Sequence, residues 1–245
     1  MIKSNAKVLL VENDTETASQ ISMQLGKNGI EVISVKDGGT ALEQFEIVQP
    51  SVIVSELYLE DMDGLQLCRT IRNVSSVPFI LMSEKADVFD IVLGLEMGAD
   101  DYISKPFDPR ELVARIKVAV RHMRLYASTE IKEKVTEEKK LIQLPGLMID
   151  VSTYTVELDG EKVSMPPKEL QVLHMLAEQP NKVFTRDQLL ERIWGYDFFG
   201  NSRTVDVHVK RIREKLTNGK EHIWKVETVW GVGYKFVLPE DGISE

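Results

Sequence analysis

The sequence predicts an α/β domain built on a doubly wound five-stranded parallel sheet, followed by a smaller α+β domain of three helices and a β-hairpin. Three observations carry this. Across residues 1–122 short apolar runs alternate with amphipathic stretches of helical length. Residues 123–143 then turn polar and rich in Lys and Glu. From Leu144 onward short alternating segments, three helical stretches and a closing pair of strands follow. A chain of 245 residues accommodates two ordinary domains of this kind.

In the first domain the strand-like runs are Lys7–Val11, Glu31–Val35, Ser51–Ser55, Phe79–Met82 and Tyr102–Ser104. The helical stretches between and after them are Glu16–Lys27, Gly39–Val48, Gly64–Asn73, Val88–Met97 and Arg110–His122. Five βα units in series predict a parallel sheet with helices on both faces. The uninterrupted apolar runs VLLV and VIVS fit strands buried on both sides. In such sheets the working crevice lies beyond the carboxyl ends of the strands, which selects the residues to inspect.

Residues 123–143 read as an extension of the last helix passing into an exposed linker. The second domain, 144–238, opens with the strand candidates Leu147–Val151, Thr155–Leu158 and Glu161–Ser164, and Asp159-Gly160 marks a hairpin between the last two. Lys168–Glu178 is an amphipathic helix preceded by Pro166-Pro167, with Pro suited to the first turn. Thr185–Trp194 is a second helix, with Thr185 and Gln188 spaced as a capping box. Ser202–Leu216 is the third and longest, and Trp224–Thr228 with Tyr234–Val237 form the closing hairpin around Val229–Gly233. Three helices and a terminal hairpin outline a winged helix-turn-helix. Residues 239–245 are a tail.

Composition bounds the function class. With 43% hydrophobic and 28% charged residues, the chain has enough apolar surface for real cores. No stretch approaches the roughly 20 apolar residues that span a bilayer. The first residues lack a signal-peptide pattern, and the single cysteine, Cys68, cannot form an internal disulfide; both point to a cytoplasmic protein with no membrane partner. The net charge of −9 argues against nucleic acid taken alone. Yet Arg203–Leu216 holds five basic and two acidic residues, so one helix can meet DNA from an otherwise acidic body. An enzyme is not expected: there is no Gly-rich phosphate loop after the first strand, no nucleophile–base pair and no metal spacing among the four histidines.

At the strand ends stand Glu12, Asn13 and Asp14, then Glu56, then Ser83, then Lys105 and Pro106. Together with Met62–Gly64 (MDG), Gly98–Phe107 (GADDYISKPF), Arg203–Leu216 (RTVDVHVKRIREKL) and Val226–Phe236 (VETVWGVGYKF), these make the whole chain similar to two-component response regulators of the OmpR/PhoB subfamily. The resemblance implies a receiver domain in which an Asp takes a phosphoryl group from a histidine kinase. Magnesium beside the nucleophile neutralises its charge, a lysine pairs with the phosphoryl, and a hydroxyl and an aromatic relay its presence. Lys105 matches the lysine, Ser83 the hydroxyl, Tyr102 the switch aromatic and Glu12 the first acid of the metal pair.

Two positions depart from that pattern. Glu56 stands where the phosphoacceptor Asp belongs, since ELYLEDMDG parallels the family's DLMLPDMDG, and Asn13 stands where the second acid belongs. Asn13 removes a formal charge, so no resident cofactor is expected and magnesium binding is expected to be weak. Glu56 is one methylene longer than Asp, which carries its carboxylate about 1–1.5 Å further into the pocket. That misplaces it for in-line attack, where about 1 Å can cost a hundredfold, and brings it within reach of Lys105. Three readings stay open: a carboxylate that stands in for the phosphoryl group, an inert scaffold, and residual phosphorylation under kinase control.

The resemblance also implies a homodimer through the receiver, with Asp100, Asp101, Glu111 and Arg115 at its interface, and Lys117 and Arg121 further along. It makes Arg203–Leu216 the helix that reads promoter DNA, with Arg203, Thr204, His208, Arg211 and Arg213 as candidates. Val205, Val209, Ile212 and Leu216 form its apolar stripe. The wing around Gly231 and Tyr234 approaches the minor groove, and Asp197, Phe198, Phe199, Gly200 and Asn201 form a loop offered to RNA polymerase. Trp194 is expected in the core. Asp14 and Asp61 read as solvated turn acids. An interaction module that no longer binds DNA is the alternative.

Overall fold

The computed structural model describes residues 6–84, 88–127, 141–195, 203–217 and 219–239. The chain divides into two compact units, Met1–Arg124 and Leu125–Glu245.

The first unit carries β1 (Lys7–Val11), α1 (Thr15–Lys27), β2 (Glu31–Val35), α2 (Gly38–Val48), β3 (Val52–Glu56), α3 (Gly64–Arg72), β4 (Phe79–Ser83), α4 (Val88–Glu96), β5 (Asp101–Ser104) and α5 (Pro109–Ala127). The strands form one sheet in the order β2-β1-β3-β4-β5, and every neighbouring pair is parallel. All five residues of β3 and of β4 are buried, as strands covered on both faces must be. One face packs Leu10, Val54, Ile80 and Met82 against Ile21 and Leu25 of α1 and Leu112, Val113 and Ile116 of α5. The register sets Glu56 opposite Met82 at the end of β3 and Ser83 opposite Ser104 at the end of β4, so the polar strand ends converge on one edge.

Helix starts follow from short acidic caps. Asp14, Asp37 and Asp63 accept the backbone N–H of Thr17, Thr40 and Gln66, each filling one of the donors a helix leaves unpaired at its first turn. Asp14 and Asp61 are not merely solvated turn acids. Asp14 caps α1, and Asp61 receives the N–H groups of Gly38 and Gly39 at 2.9 and 2.7 Å, giving α2 a second anionic cap. Gly64 of the MDG motif has a steric reason. A Cβ there would lie 2.5 Å from the Glu56 carbonyl oxygen and 3.1 Å from Leu57 Cα, so only glycine lets α3 start against the end of β3.

The second unit carries β6 (Leu141–Leu144), β7 (Leu147–Asp150), β8 (Thr155–Leu158), β9 (Glu161–Val163), α6 (Pro167–Ala177), β10 (Phe184–Thr185), α7 (Arg186–Trp194), α8 (Arg203–Lys215), β11 (Lys225–Val229) and β12 (Gly233–Val237). β6 to β9 form an antiparallel meander, and β10-β12-β11 a three-stranded antiparallel sheet. Asp159 and Gly160, at φ 52° and 83°, make the β8–β9 turn, the positive-φ pair that Asp-Gly favours. The Thr185–Gln188 capping box is formed in both directions. One core gathers Leu147, Ile149 and Val156 from the meander, Leu170, Leu173 and Leu176 from α6, Leu189 from α7, Val205, Val209 and Ile212 from α8, and Trp224 and Phe236 from the hairpin. Trp194 belongs to it, 8% exposed.

Two strands escape the sequence reading. β6 begins at Leu141, within the 123–143 segment read as linker, and its alternating exposed and half-buried residues leave no continuous apolar run to mark it. β10 spans two residues and is held by pairing to β12, where Gly233 permits an approach a Cβ would block against the Phe184 carbonyl. Other element ends differ from the reading by one residue, the usual fraying of boundaries, except that α5 runs to Ala127 rather than His122.

Candidate functional site

The crevice at the carboxyl edge of the first sheet centres on Lys105. Its ammonium lies 2.7 Å from Glu12 Oε2 and 2.5 Å from Glu56 Oε2. Both acids are nearly enclosed, at 1% and 6% exposure. The remaining oxygens are held by backbone donors. Asp14 N–H donates to Glu12 Oε1 at 3.1 Å and Leu57 N–H to Glu56 Oε1 at 2.8 Å. Burial alone would pull the Lys105 ammonium down, but its bonds to Glu12 and Glu56 outweigh burial and leave its pKa raised. The ammonium is therefore charged at neutral pH, and what its raised pKa contributes to stability is lost only as pH climbs through that raised value, in strongly alkaline solution.

Next to it, Tyr102 is turned inward, 6% exposed, and hydrogen-bonds to Ser83, which is fully buried. Burial pushes the Tyr102 phenol above its ordinary value while the Ser83 bond opposes the shift. The ring packs under α4, where a Cβ on Gly94 would sit 3.3 Å from Tyr102 Cδ2.

The donor set does not fit magnesium. Glu12 and Glu56 have Lys105 between them, and Asn13 turns its amide nitrogen to the Tyr58 carbonyl at 3.3 Å. A hard cation calls for an oxygen cage. Among the described residues no group of three His, Cys, Asp or Glu side chains is arranged to hold a metal.

The four residues expected at a dimer interface separate in the structure. Asp100 is 3% exposed and turned into its own unit. Its Oδ2 accepts Arg72 Nη2 at 2.5 Å and the Phe79 N–H at 2.9 Å. Arg72 also donates to the Val77 and Gly98 carbonyls, so Arg72–Asp100 is an internal latch rather than an interface pair. Asp101, Glu111 and Arg115 do cluster: Arg115 reaches Asp101 at 2.8 Å and Glu111 at 2.6 Å. Burial opposes the Arg115 charge, but the two acids outweigh it and raise its pKa. Lys117 turns to Asn28 Oδ1 at 2.7 Å, and the Arg121 side chain lies outside the described residues.

On α8 the apolar stripe is as expected, with Val205, Val209 and Ile212 fully buried and Leu216 at 7%. Four side chains expected to face DNA are instead turned inward. His208 is fully buried, its Nδ1 2.8 Å from the Thr204 carbonyl and its ring edge-on to Trp194, and burial pushes its pKa down to about 3, so it carries no charge for phosphate. Thr204 is 1% exposed with its hydroxyl unpaired. Arg211, 9% exposed, pairs with Glu169 of α6, a carboxylate with no exposure that also takes Lys215 at 2.7 Å. Tyr234 is 5% exposed, and its hydroxyl donates to Asp206 at 2.6 Å; burial, then Asp206, pushes its pKa up to about 12. Helix crowding is the cause: three helices share one core, so α8 buries more than the single stripe its spacing marks.

The outward face of α8 is Arg203, Asp206, Lys210, Arg213 and Glu214, of which Arg203, Lys210 and Glu214 are exposed. Lys210 was missed in the sequence, although it lies seven residues after Arg203 on the same polar stripe. Arg186 was missed too; it reaches Asp206 at 2.7 Å from the start of α7. Arg213 crosses to the hairpin, donating to the Val226 carbonyl at 3.0 Å and to Thr228 Oγ1 at 2.9 Å. Gly231 sits in the exposed turn with φ 75°. Asp197, Phe198, Phe199, Gly200 and Asn201 lie outside the described residues.

Known proteins agree with this architecture. The family model for the response regulator receiver domain matches residues 8–117, and that for the C-terminal part of transcriptional regulatory proteins matches 160–236. The chain is 41% identical over 231 residues to YclJ, an uncharacterized transcriptional regulatory protein of Bacillus subtilis, covering 94% of this chain and 98% of that one. It is 38% identical over 229 residues to the DNA-binding response regulator MtrA of Mycobacterium tuberculosis, covering 94% and 96%. Among solved structures a RitR mutant superposes with a TM-score of 0.70 at 26% identity, covering 96% of this chain and all of that one. With both domains matched in tandem and relatives similar along nearly its full length, this chain belongs to the OmpR/PhoB-type response regulators, DNA-binding regulators of transcription.

Proposed function

We propose that this regulator binds promoter DNA as a homodimer and does so without the usual phosphorylation of its receiver. The observation that carries the reading is the Lys105 ammonium held at once by Glu56 and Glu12, at 2.5 and 2.7 Å. The lysine that pairs with a phosphoryl group in this family already has an anion, supplied by the chain itself. Its partner relay, Ser83 to an inward Tyr102, stands beside it. The Glu56 carboxylate stands in for the phosphoryl group, and magnesium has no part in the resting site. A histidine kinase is not needed to set this state.

The dimer forms through α4, β5 and α5. Asp101, Glu111 and Arg115 give that face paired charges suited to a two-fold, self-complementary contact, and Phe89 of α4, 73% exposed, gives it an apolar anchor. DNA meets the outward face of α8, with Arg203, Lys210 and Arg213 as its cations and Arg211 set behind them by Glu169. The 197–201 loop contacts RNA polymerase.

The test is intact-mass analysis after acetyl phosphate and magnesium, run on wild type and Glu56→Asp. Wild type stays at its unmodified mass and binds DNA as a dimer untreated. Stoichiometric phosphorylation of wild type, or DNA binding that appears only after treatment, overturns the reading. Glu56→Gln separates mimicry from scaffold: loss of the dimer supports a phosphoryl stand-in, and an unchanged dimer supports an inert domain.

A further inference from the structure

We propose that Trp230, at the tip of the β11–β12 hairpin, is a stacking wedge that reads the minor groove of double-stranded DNA beside the site of α8. The inference rests on the DNA-binding reading above and assigns a residue and a recognition chemistry within it.

Trp230 is 90% exposed, whereas the other two tryptophans, Trp194 and Trp224, are 8% and 5% exposed and belong to the core of the unit. The chain therefore presents its largest apolar side chain to water at one point, and Val232, 44% exposed, extends the same patch. The turn that carries it is tight. Val232 N–H donates to the Val229 carbonyl at 3.0 Å, and Gly231 takes φ 75° immediately after the indole. Trp230 lies outside the core of the unit, so burial does not account for an indole at this position.

The tip is tied to the DNA-facing helix through both strands. Arg213 of α8 donates to Val226 and Thr228 on β11, and Tyr234 of β12 donates to Asp206 on α8. Arg213 and Arg186 also lie 5.6 and 5.0 Å from the Tyr234 ring centre, so the base of the hairpin is clamped between cations. Arg213, on the outward face of α8, and Asp206 thus join that helix to both strands of the hairpin that carries Trp230.

The chemistry of the tip selects the ligand. The lysines on these strands, Lys225 and Lys235, are both paired with Glu227, at 2.9 and 3.2 Å, so the hairpin is poor in charge to spend on phosphates. An aromatic edge can instead enter the minor groove and part a base step. The indole N–H is a donor without acceptor capacity, which matches the acceptor-only minor-groove edge of A·T pairs and clashes with the amino group that G·C presents there.

The experiment uses the full chain and short duplexes selected from a random pool by the wild-type protein. Binding and intrinsic fluorescence are measured together, because the acrylamide-quenchable, red-shifted emission belongs to Trp230 while Trp194 and Trp224 are shielded. The duplex should shield that emission. Trp230→Ala should weaken binding roughly tenfold to a hundredfold, as loss of one base–aromatic stack does, while Trp230→Phe retains most of the affinity. At the positions under the hairpin, replacing A·T by inosine·cytosine should preserve binding, because inosine lacks the minor-groove amino group, and replacing it by G·C should lose it. Wild-type affinity in Trp230→Ala, or Trp230 emission that stays quenchable in the complex, overturns the proposal while leaving DNA binding intact. Emission that shifts with protein concentration in the absence of DNA overturns it in favour of self-association. Failure of wild type to bind any duplex at low salt overturns both readings.

Discussion

Lys105→Met tests whether the receiver pocket is held by one cation between two enclosed acids. The variant keeps a flexible apolar stem and removes the ammonium with its charge and hydrogen bonds. Glu12 and Glu56 each lie within 2.7 Å of the ammonium, so their facing oxygens are no more than about 5 Å apart. At an effective dielectric of about 20, two like charges at that separation repel by about 3 kcal/mol. The two acids face each other in wild type as well, but there two attractions to the ammonium offset their repulsion; left unopposed, that repulsion should cost the first unit about 3 kcal/mol at pH 7. One of the acids can relieve the strain by taking up a proton. The folded variant then binds more protons than its unfolded chain, so its stability falls as pH rises and the deficit against wild type shrinks toward pH ~4–5. Urea denaturation of both proteins at pH 7 and pH 5 measures this. A variant as stable as wild type at pH 7, or a deficit unchanged between the two pH values, would refute the argument. The first result would show that water screens the acids, and the second that they never interact.

Three further outcomes are expected. Lys210→Ala should weaken DNA binding across sequences and reduce the slope of log affinity against log salt by about one, as loss of one phosphate contact does, whereas His208→Gln should leave that slope unchanged. Glu169→Ala should destabilise the second unit by about 3–5 kcal/mol, because Arg211 is left buried beside an empty place, and thermal or urea unfolding reads this directly. Thr204→Val should leave stability unchanged or raise it by up to about 1 kcal/mol, since the hydroxyl is buried and unpaired; a loss of more than this would mean the hydroxyl has a partner.

Sequence patterns exposed the first unit almost entirely, because β1, β3 and β4 are nearly continuous apolar runs and α1, α2 and α3 each start at an Asp cap. Glu31–Val35 and Lys7–Val11 are read to the residue. Glu56 and Lys105 were placed together by the rule of strand ends, and the structure brings them to 2.5 Å. Asp100 shows the limit. Adjacent Asp100 and Asp101 look alike in the sequence, but successive residues at a strand start point to opposite sides, so Asp100 pairs with Arg72 and Asp101 with Arg115, both buried. The same limit governs α8. A 3.6-residue period identifies one buried stripe, yet His208 and Thr204 lie off that stripe and are buried, His208 edge-on to Trp194 at the end of α7, a contact that no local spacing records. β6 was hidden because a half-exposed edge strand has no continuous apolar run.

Arg213 bridging α8 to β11, with Tyr234 closing the circuit back to Asp206, has a consequence for the geometry of recognition. Helix and hairpin cannot be repositioned independently, so the second unit works as a caliper whose two jaws are fixed by a guanidinium and a phenol. Its operators would then be selected by the distance between two features of the duplex as well as by their identity. Loosening one bond of the bridge, as in Thr228→Val, would widen the tolerated spacing before it lowered affinity for the best site.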